Sequence, residues 1–118
     1  MSMNINTLTI KAQELLQGAM TIAKSRGQQA LEPEHILVAA IAEDDSLGSY
    51  LISRAGGSLP TIRREAEEAL THLPRVEGVD DNIFFSRSSS AVIQRAVDLT
   101  RAFSDRYASV EHIVIALA

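Results

Sequence analysis

Apolar side chains return every three or four positions along the first part of the chain: Ala12, Leu15, Leu16, Ala19, Met20, Ile22 and Ala23. That spacing predicts an amphipathic helix over residues 9–26, with Thr9 as its N-cap and Gly27 as its stop. A second helix is expected from Pro33 to Glu43, because proline suits the first helical position, where its missing N–H costs nothing. The run from Ile36 to Ala42 is apolar almost all round, which predicts a central buried helix wrapped by other elements. At about seven residues it is far too short to cross a bilayer. Ser46 can cap a short third helix, about 47–55, with Leu47, Leu51 and Ile52 inward and Gly56-Gly57 at its end. A fourth is expected over 61–72, after Pro60, with the stripe Ile62, Ala66, Ala69, Leu70 and Leu73. Its run Arg63, Arg64, Glu65, Glu67 and Glu68 reads as a solvated face.

Residues 73–85 break the helical period with Pro74, Gly78 and Asp80-Asp81-Asn82. They read as an ordered connection, because Val76, Val79, Ile83, Phe84 and Phe85 can pack. Ser86 or Ser88 then opens a fifth helix to about Phe103, with the stripe Val92, Ile93, Ala96, Val97, Leu99, Thr100 and Phe103. Ser109 caps a last helix, with Glu111 in its first turn, where the helix dipole favours an anion.

The pattern repeats. His112 stands 77 positions after His35, and at that offset residues 9–41 match 86–118 without a gap. Gln17/Gln94, Ala19/Ala96, Glu34/Glu111, His35/His112, Ile36/Ile113 and Ala39/Ala116 are identical, and Leu15/Val92, Leu16/Ile93, Met20/Val97 and Ile22/Leu99 keep their apolar register. A gapless repeat of this kind predicts a duplicated helical unit, and two copies predict a compact pseudo-twofold domain, not a solenoid. The expected organisation is one domain over 1–118: a first repeat at about 9–72, a connection at 73–85, and a second repeat from 86 that is incomplete at 118. Counterparts of the third and fourth helices would run on to about residue 149, so a longer polypeptide is expected.

Composition narrows the chemistry. A net charge of −4 argues against a nucleic-acid partner, and 4% aromatic residues leave no base-stacking platform. The absence of cysteine excludes a disulfide framework and thiolate metal sites. The opening MSMNINTLTIKAQ has no basic segment before an apolar core, so a cytoplasmic location without membrane partners is expected. Gly18 to Lys24-Ser25 resembles a phosphate loop, but Ala23 stands where a second glycine is needed and the string lies inside a predicted helix. Glu34-His35 and Glu111-His112 lack the H-E-x-x-H spacing of a metalloprotease. They read as helix starts, the glutamate complementing the dipole and the histidine packing its ring and bonding a backbone group. Ser88-Ser89-Ser90 reads as a helix entry, not a nucleophile.

Thr9-x-Lys11-x-Gln13, Glu32-Pro33-Glu34-His35-Ile36-Leu37, Ser109-Val110-Glu111-His112-Ile113 and the duplication together resemble the N-terminal domain of Clp-type AAA+ unfoldases over essentially the whole chain. Gly27-Gln28-Gln29 and Leu73-Pro74-Arg75-Val76-Glu77-Gly78 look most like the ClpB, or disaggregase, branch. The resemblance implies an all-α pseudo-twofold bundle with no cofactor of its own. It implies a parent protein that is a homohexameric ATP hydrolase using ATP and Mg, threads polypeptide through its pore, and works with the DnaK chaperone system. It implies that this domain recruits unfolded or aggregated polypeptides through Thr9, Asp105 and Glu111, beside a groove between the first helices of the two repeats involving Leu15, Ile93 and Val97. One alternative is an adaptor-docking domain of a ClpA- or ClpC-like protease subunit. Another is a helical enzyme using Glu34/His35 or Glu111/His112.

Overall fold

The computed structural model describes residues 7–76, 83–102 and 106–117. Among them are six helices: α1 (Ile10–Ser25), α2 (Pro33–Ala40), α3 (Leu47–Arg54), α4 (Leu59–Thr71), α5 (Arg87–Ala102) and α6 (Val110–Leu117). Two short strands, β1 (Ala30–Leu31) and β2 (Phe84–Phe85), pair in parallel with Leu31 opposite Phe85. The all-α expectation holds for the helices and misses the strands. A two-residue strand carries no readable period, and its pairing is set by tertiary approach.

Helix entries follow local chemistry. Thr9 Oγ1 accepts from the Ala12 N–H at 3.1 Å, Ser46 Oγ from the Ser49 N–H at 3.1 Å, and Ser86 Oγ from the Ser89 N–H at 3.0 Å, each satisfying a donor that the helix leaves open. Ser86, not Ser88, therefore opens α5. At α2 and α6 a histidine supplies the bond instead. The Glu32 N–H donates to His35 Nδ1 at 2.9 Å, and the Ser109 N–H donates to His112 Nδ1 at 2.9 Å. Each ring reaches back from the third helical position, as Glu or Gln does in a capping box. The predicted role of the two histidines is thus seen in both copies.

The 77-residue offset also relates the tertiary contacts. Leu8 bridges Ala108 in parallel, and Leu31 pairs with Phe85; Phe85 is the counterpart of Leu8, and Leu31 of Ala108. The Thr9 N–H donates to the Ala108 carbonyl at 2.9 Å, and the Ser86 N–H to the Leu31 carbonyl at 3.0 Å. Each unit's first helix thus starts on the strand that leads into the other unit's second helix. Between these two junctions lies one apolar cluster: Leu8, Ala12, Leu16 and Ala19 from one side, Leu31 and Ile36 beside them, and Val92, Ile93, Ala96, Ala108, Ile113 and Ala116 from the other.

Helices α3 and α4 contribute nothing to that cluster. Helix α4 packs on α2, where Ala66 and Leu70 of α4 and Ile41 at the end of α2 are buried, and α3 packs on α6 and α2. Several sequence expectations change there. Helix α2 stops at Ala40, not Glu43, because Ser46 Oγ and the Arg63 guanidinium donate to the carbonyls of Ala40 (2.9 Å) and Ile41 (2.7 Å), ending the ladder early. Arg63 is consequently half-buried and not part of the solvated face. Helix α4 takes Leu59 and Pro60 into its first turn. In α3 the buried residues are Gly48 and Ser49, while Leu47 is exposed, because the helix approaches α2 backbone to backbone. Val76 and Phe84 are exposed, whereas Ile83 and Phe85 pack against the core; Val79 lies outside the described residues.

Two substitutions test this frame. A Cβ at Gly48 would run into the carbonyl oxygen of Ala40, a backbone atom that cannot swing away. Gly48→Ala is expected to lower unfolding stability by about 2 kcal/mol, the usual cost of overpacking, read from a urea melt. His112→Leu leaves the half-buried Ser109 N–H without its acceptor and is expected to cost about 1 kcal/mol. His112→Gln, which can still close a capping box, is expected to cost less in the same melt.

Candidate functional site

The sequence-derived site residues do not converge. Thr9 is the N-cap of α1 and is half-buried. Ile93 lies inside the core cluster at 3% exposure, and Leu15 and Val97 are partly buried against that cluster. A groove lined by Ile93 therefore has to be corrected: the sequence marks this position as apolar on α5, and in the fold its side chain is spent on holding the two units together. Asp105 lies outside the described residues.

An apolar groove does open elsewhere, with a volume of about 660 Å³. Its walls come from Pro33 and Leu37 of α2, Leu51 and Ile52 of α3, Ile62 of α4, and Val114, Ile115 and Leu117 of α6. Among the described residues its charged lining consists of two carboxylates, Glu34 and Glu111. Glu111 is thus the one sequence-derived candidate on this groove. Glu34 is its repeat partner and sits in the equivalent first turn of α2. The signal for Glu34 was present in the Glu-His duplication, and the signal for the groove lay in the Ile36–Ala42 run. Helix α2 is not wrapped all round, since Leu37, Val38 and Ala39 are only partly buried, and Ala42 of the same run lies past its end and is exposed.

The shape of the groove follows from the duplication. Pro33, Glu34 and Leu37 of α2 correspond to Val110, Glu111 and Val114 of α6 at the 77-residue offset. Helix α3 packs against α6. The matching face of α2 forms one wall of the open groove, so it presents a seat of the kind that a short amphipathic helix occupies.

Behind this wall lies a buried polar chain. Gly27, at φ +68°, closes α1 in the left-handed conformation, with the Gly27 N–H on Lys24 and the Gln28 N–H on Ala23 (3.0 and 2.9 Å). That turn drives Gln28 inward to 3% exposure. Gln28 Oε1 is 2.6 Å from His35 Nε2, and Gln28 Nε2 donates to the Leu70 carbonyl at 2.7 Å. Because His35 Nδ1 already accepts from the Glu32 N–H, the ring proton is on Nε2 and donates to Gln28. Burial pushes the His35 pKa below its ordinary value; attraction to Glu32 opposes this and repulsion from Arg26 adds to it. The ring is neutral and fully used in structural bonds, with no lone pair left for a metal or a substrate proton. Among the described residues no group of three or more His, Asp or Glu could hold a metal ion, and no helix is long and apolar enough to cross a membrane.

Known proteins give this fold its place. Residues 7–118 match the Clp repeat (R) N-terminal domain. The chaperone protein ClpB of Porphyromonas gingivalis is 37% identical over 115 residues, which is 98% of this chain and 13% of that protein. The N-terminal domain of Hsp104 from Candida albicans superposes with a TM-score of 0.81 at 25% identity, over 93% of this chain and 72% of that one. The N-terminal domain of ClpD from Arabidopsis thaliana gives 0.71 at 26% identity, over 97% and 78%. The chain spans about an eighth of the length of the curated chaperone it matches, and it belongs to the Clp repeat N-terminal domain family, in the form carried by ClpB- and Hsp104-like chaperones.

Proposed function

We propose that this domain is the polypeptide-recruiting N-terminal module of a ClpB-like disaggregase, and that it takes exposed apolar segments of unfolded or aggregated protein into the groove between α2, α3 and α6. The observation that carries this reading is the groove itself: an apolar trough with a carboxylate at Glu34 and another at Glu111. Unfolded protein differs from folded protein in exposing apolar side chains. The trough offers such side chains a dry wall, and the rim offers acceptors to main-chain N–H groups or to lysine and arginine. Burying about 300 Å² of apolar surface yields several kcal/mol at roughly 25 cal/mol/Å². Translational and ordering costs remove most of it. The resulting binding is weak, which suits a module that must hand its client on. The ring-forming ATPase modules, their ATP and Mg, the hexamer, the partnership with DnaK and a cytoplasmic setting belong to the same proposal, since they would reside in or act through the longer parent.

A second reading rests on the repeat geometry. Helix α3 fills the corresponding place against α6, and the solved Hsp104 and ClpD domains are longer than this chain. In a longer polypeptide, a helix equivalent to α3 would close the same seat in cis.

Leu37→Asp separates the two. If the groove recruits clients, the variant binds a fluorescently labelled, chemically unfolded protein several-fold more weakly, with helicity by circular dichroism unchanged; Leu15→Asp, on the other face of the core, serves as the comparison. Unchanged affinity in Leu37→Asp, with a lowered melting temperature when the substitution is placed in the longer parent, would overturn the client groove in favour of the cis seat.

A further inference from the structure

Helix α4 is attached to the molecule differently from the rest. None of its side chains enters the main apolar cluster. Its contacts with the rest of the molecule include Ala66 and Leu70 packed on α2, the Arg63 bonds to the Ile41 carbonyl and Asp44, the Glu67–Arg26 ion pair, and the Gln28 amide on the Leu70 carbonyl. The last of these is relayed from His35, which is completely buried. The relay runs one way: Glu32 N–H to Nδ1, Nε2–H to Gln28 Oε1, Gln28 Nε2–H to Leu70. A second ring proton has no place in it, because Nδ1–H would then face the N–H of Glu32. We propose that the Gln28–His35–Leu70 chain is an acid-operated clasp: protonation of His35 frees α4 from α2 while the core shared by α1, α5 and α6 stays folded.

The charges around the ring fix the sign. From α1, Arg26 repels an imidazolium; from the start of α2, Glu32 attracts it; burial outweighs that attraction. From α4, Glu67 reaches only Arg26, at 3.6 Å, and Arg63 is turned to Asp44. From α6, Glu111 lies in the groove with Glu34. A ring held neutral in the closed state and free to protonate in the open state makes opening easier as pH falls below the ordinary histidine value of about 6.5. The stabilisation is complete above that value and is lost on the way down to the lowered value of the closed state. Two other histidines are present. His72 is the exposed C-cap of α4, and His112 serves the entry of α6.

Amide exchange resolved by NMR tests the clasp. With intrinsic rates corrected, α4 amides are expected to exchange several-fold faster at one pH unit below the free histidine value than at neutral pH, with α1 and α5 protection changing much less. His35→Gln, which keeps a neutral side chain able to accept at the helix start, is expected to abolish that acid response while every carboxylate and His72 remain. Should it fail to fold, Gln28→Met removes the relay and is expected to give fast α4 exchange already at neutral pH. An α4 acid response that survives in His35→Gln, α4 protection in Gln28→Met equal to that of the parent chain, or simultaneous loss of α1 and α4 protection would each overturn the proposal.

Discussion

A short helix must satisfy the backbone donors of its first turn, and in this chain the solutions to that local problem also assemble the fold. The N–H of Thr9, just ahead of α1, is bonded to Ala108, and the N–H of Ser86, just ahead of α5, to Leu31. Both acceptors belong to the other unit, so neither first helix can be placed without the opposite copy. One position after each acceptor, the backbone N–H of Glu32 or Ser109 is taken by a histidine ring. The carbonyl goes across the interface and the next N–H goes into the helix that follows. The strand pairings, the position of the core and the burial of Ile36 and Ile113 depend on this crossed arrangement.

The duplication carried most of this in readable form. An offset of 77 residues predicts that His35 and His112 open their helices alike, and the helix-start reading of Glu-His was available from residue type alone. The faces of α1 and α5 were legible because Ala12, Leu16 and Ala19, and Val92, Ile93 and Ala96, keep helical spacing. What periodicity could not give was destination. Ile93 and Leu37 are both apolar residues on helical stripes, yet one is in the core and the other lines a groove. Which apolar position faces a neighbour and which faces solvent is decided by how many elements surround the helix, and that number is a property of the assembled fold. The same holds for α3, where a glycine and a serine are buried in place of Leu47: close backbone approach selects small residues, and a stripe analysis weighted by hydrophobicity passes over them.

The two layers of the molecule have different mechanical standing. The crossed core joins both repeats through apolar contacts and main-chain bonds, whereas α3 packs on α6 and α2, and α4 on α2, with polar bonds at the helix ends. Ser46 and Arg63 hold the end of α2, and Gln28 holds the end of α4. Polar fastenings of this kind have directional geometry, which the apolar contacts of the cluster lack. Regions with few buried apolar contacts open at lower free energy than the core. Movement is therefore expected in the layer that forms the groove, not in the layer that defines the fold.

The groove joins the two layers: its α2 and α6 walls contribute to the core, and its α3 and α4 walls lie outside it. Helix α2 sits at the centre of this coupling: Ile36 is in the core, Leu37 in the groove, and His35 in the polar chain that holds α4. Three consecutive residues on one turn of helix point to three different environments, as a rotation of about 100° per residue requires. His35 and the groove-lining Leu37 therefore share a single turn of helix. The nearly all-apolar composition of α2 reflects this position: Ile36 must suit the core and Leu37 the groove.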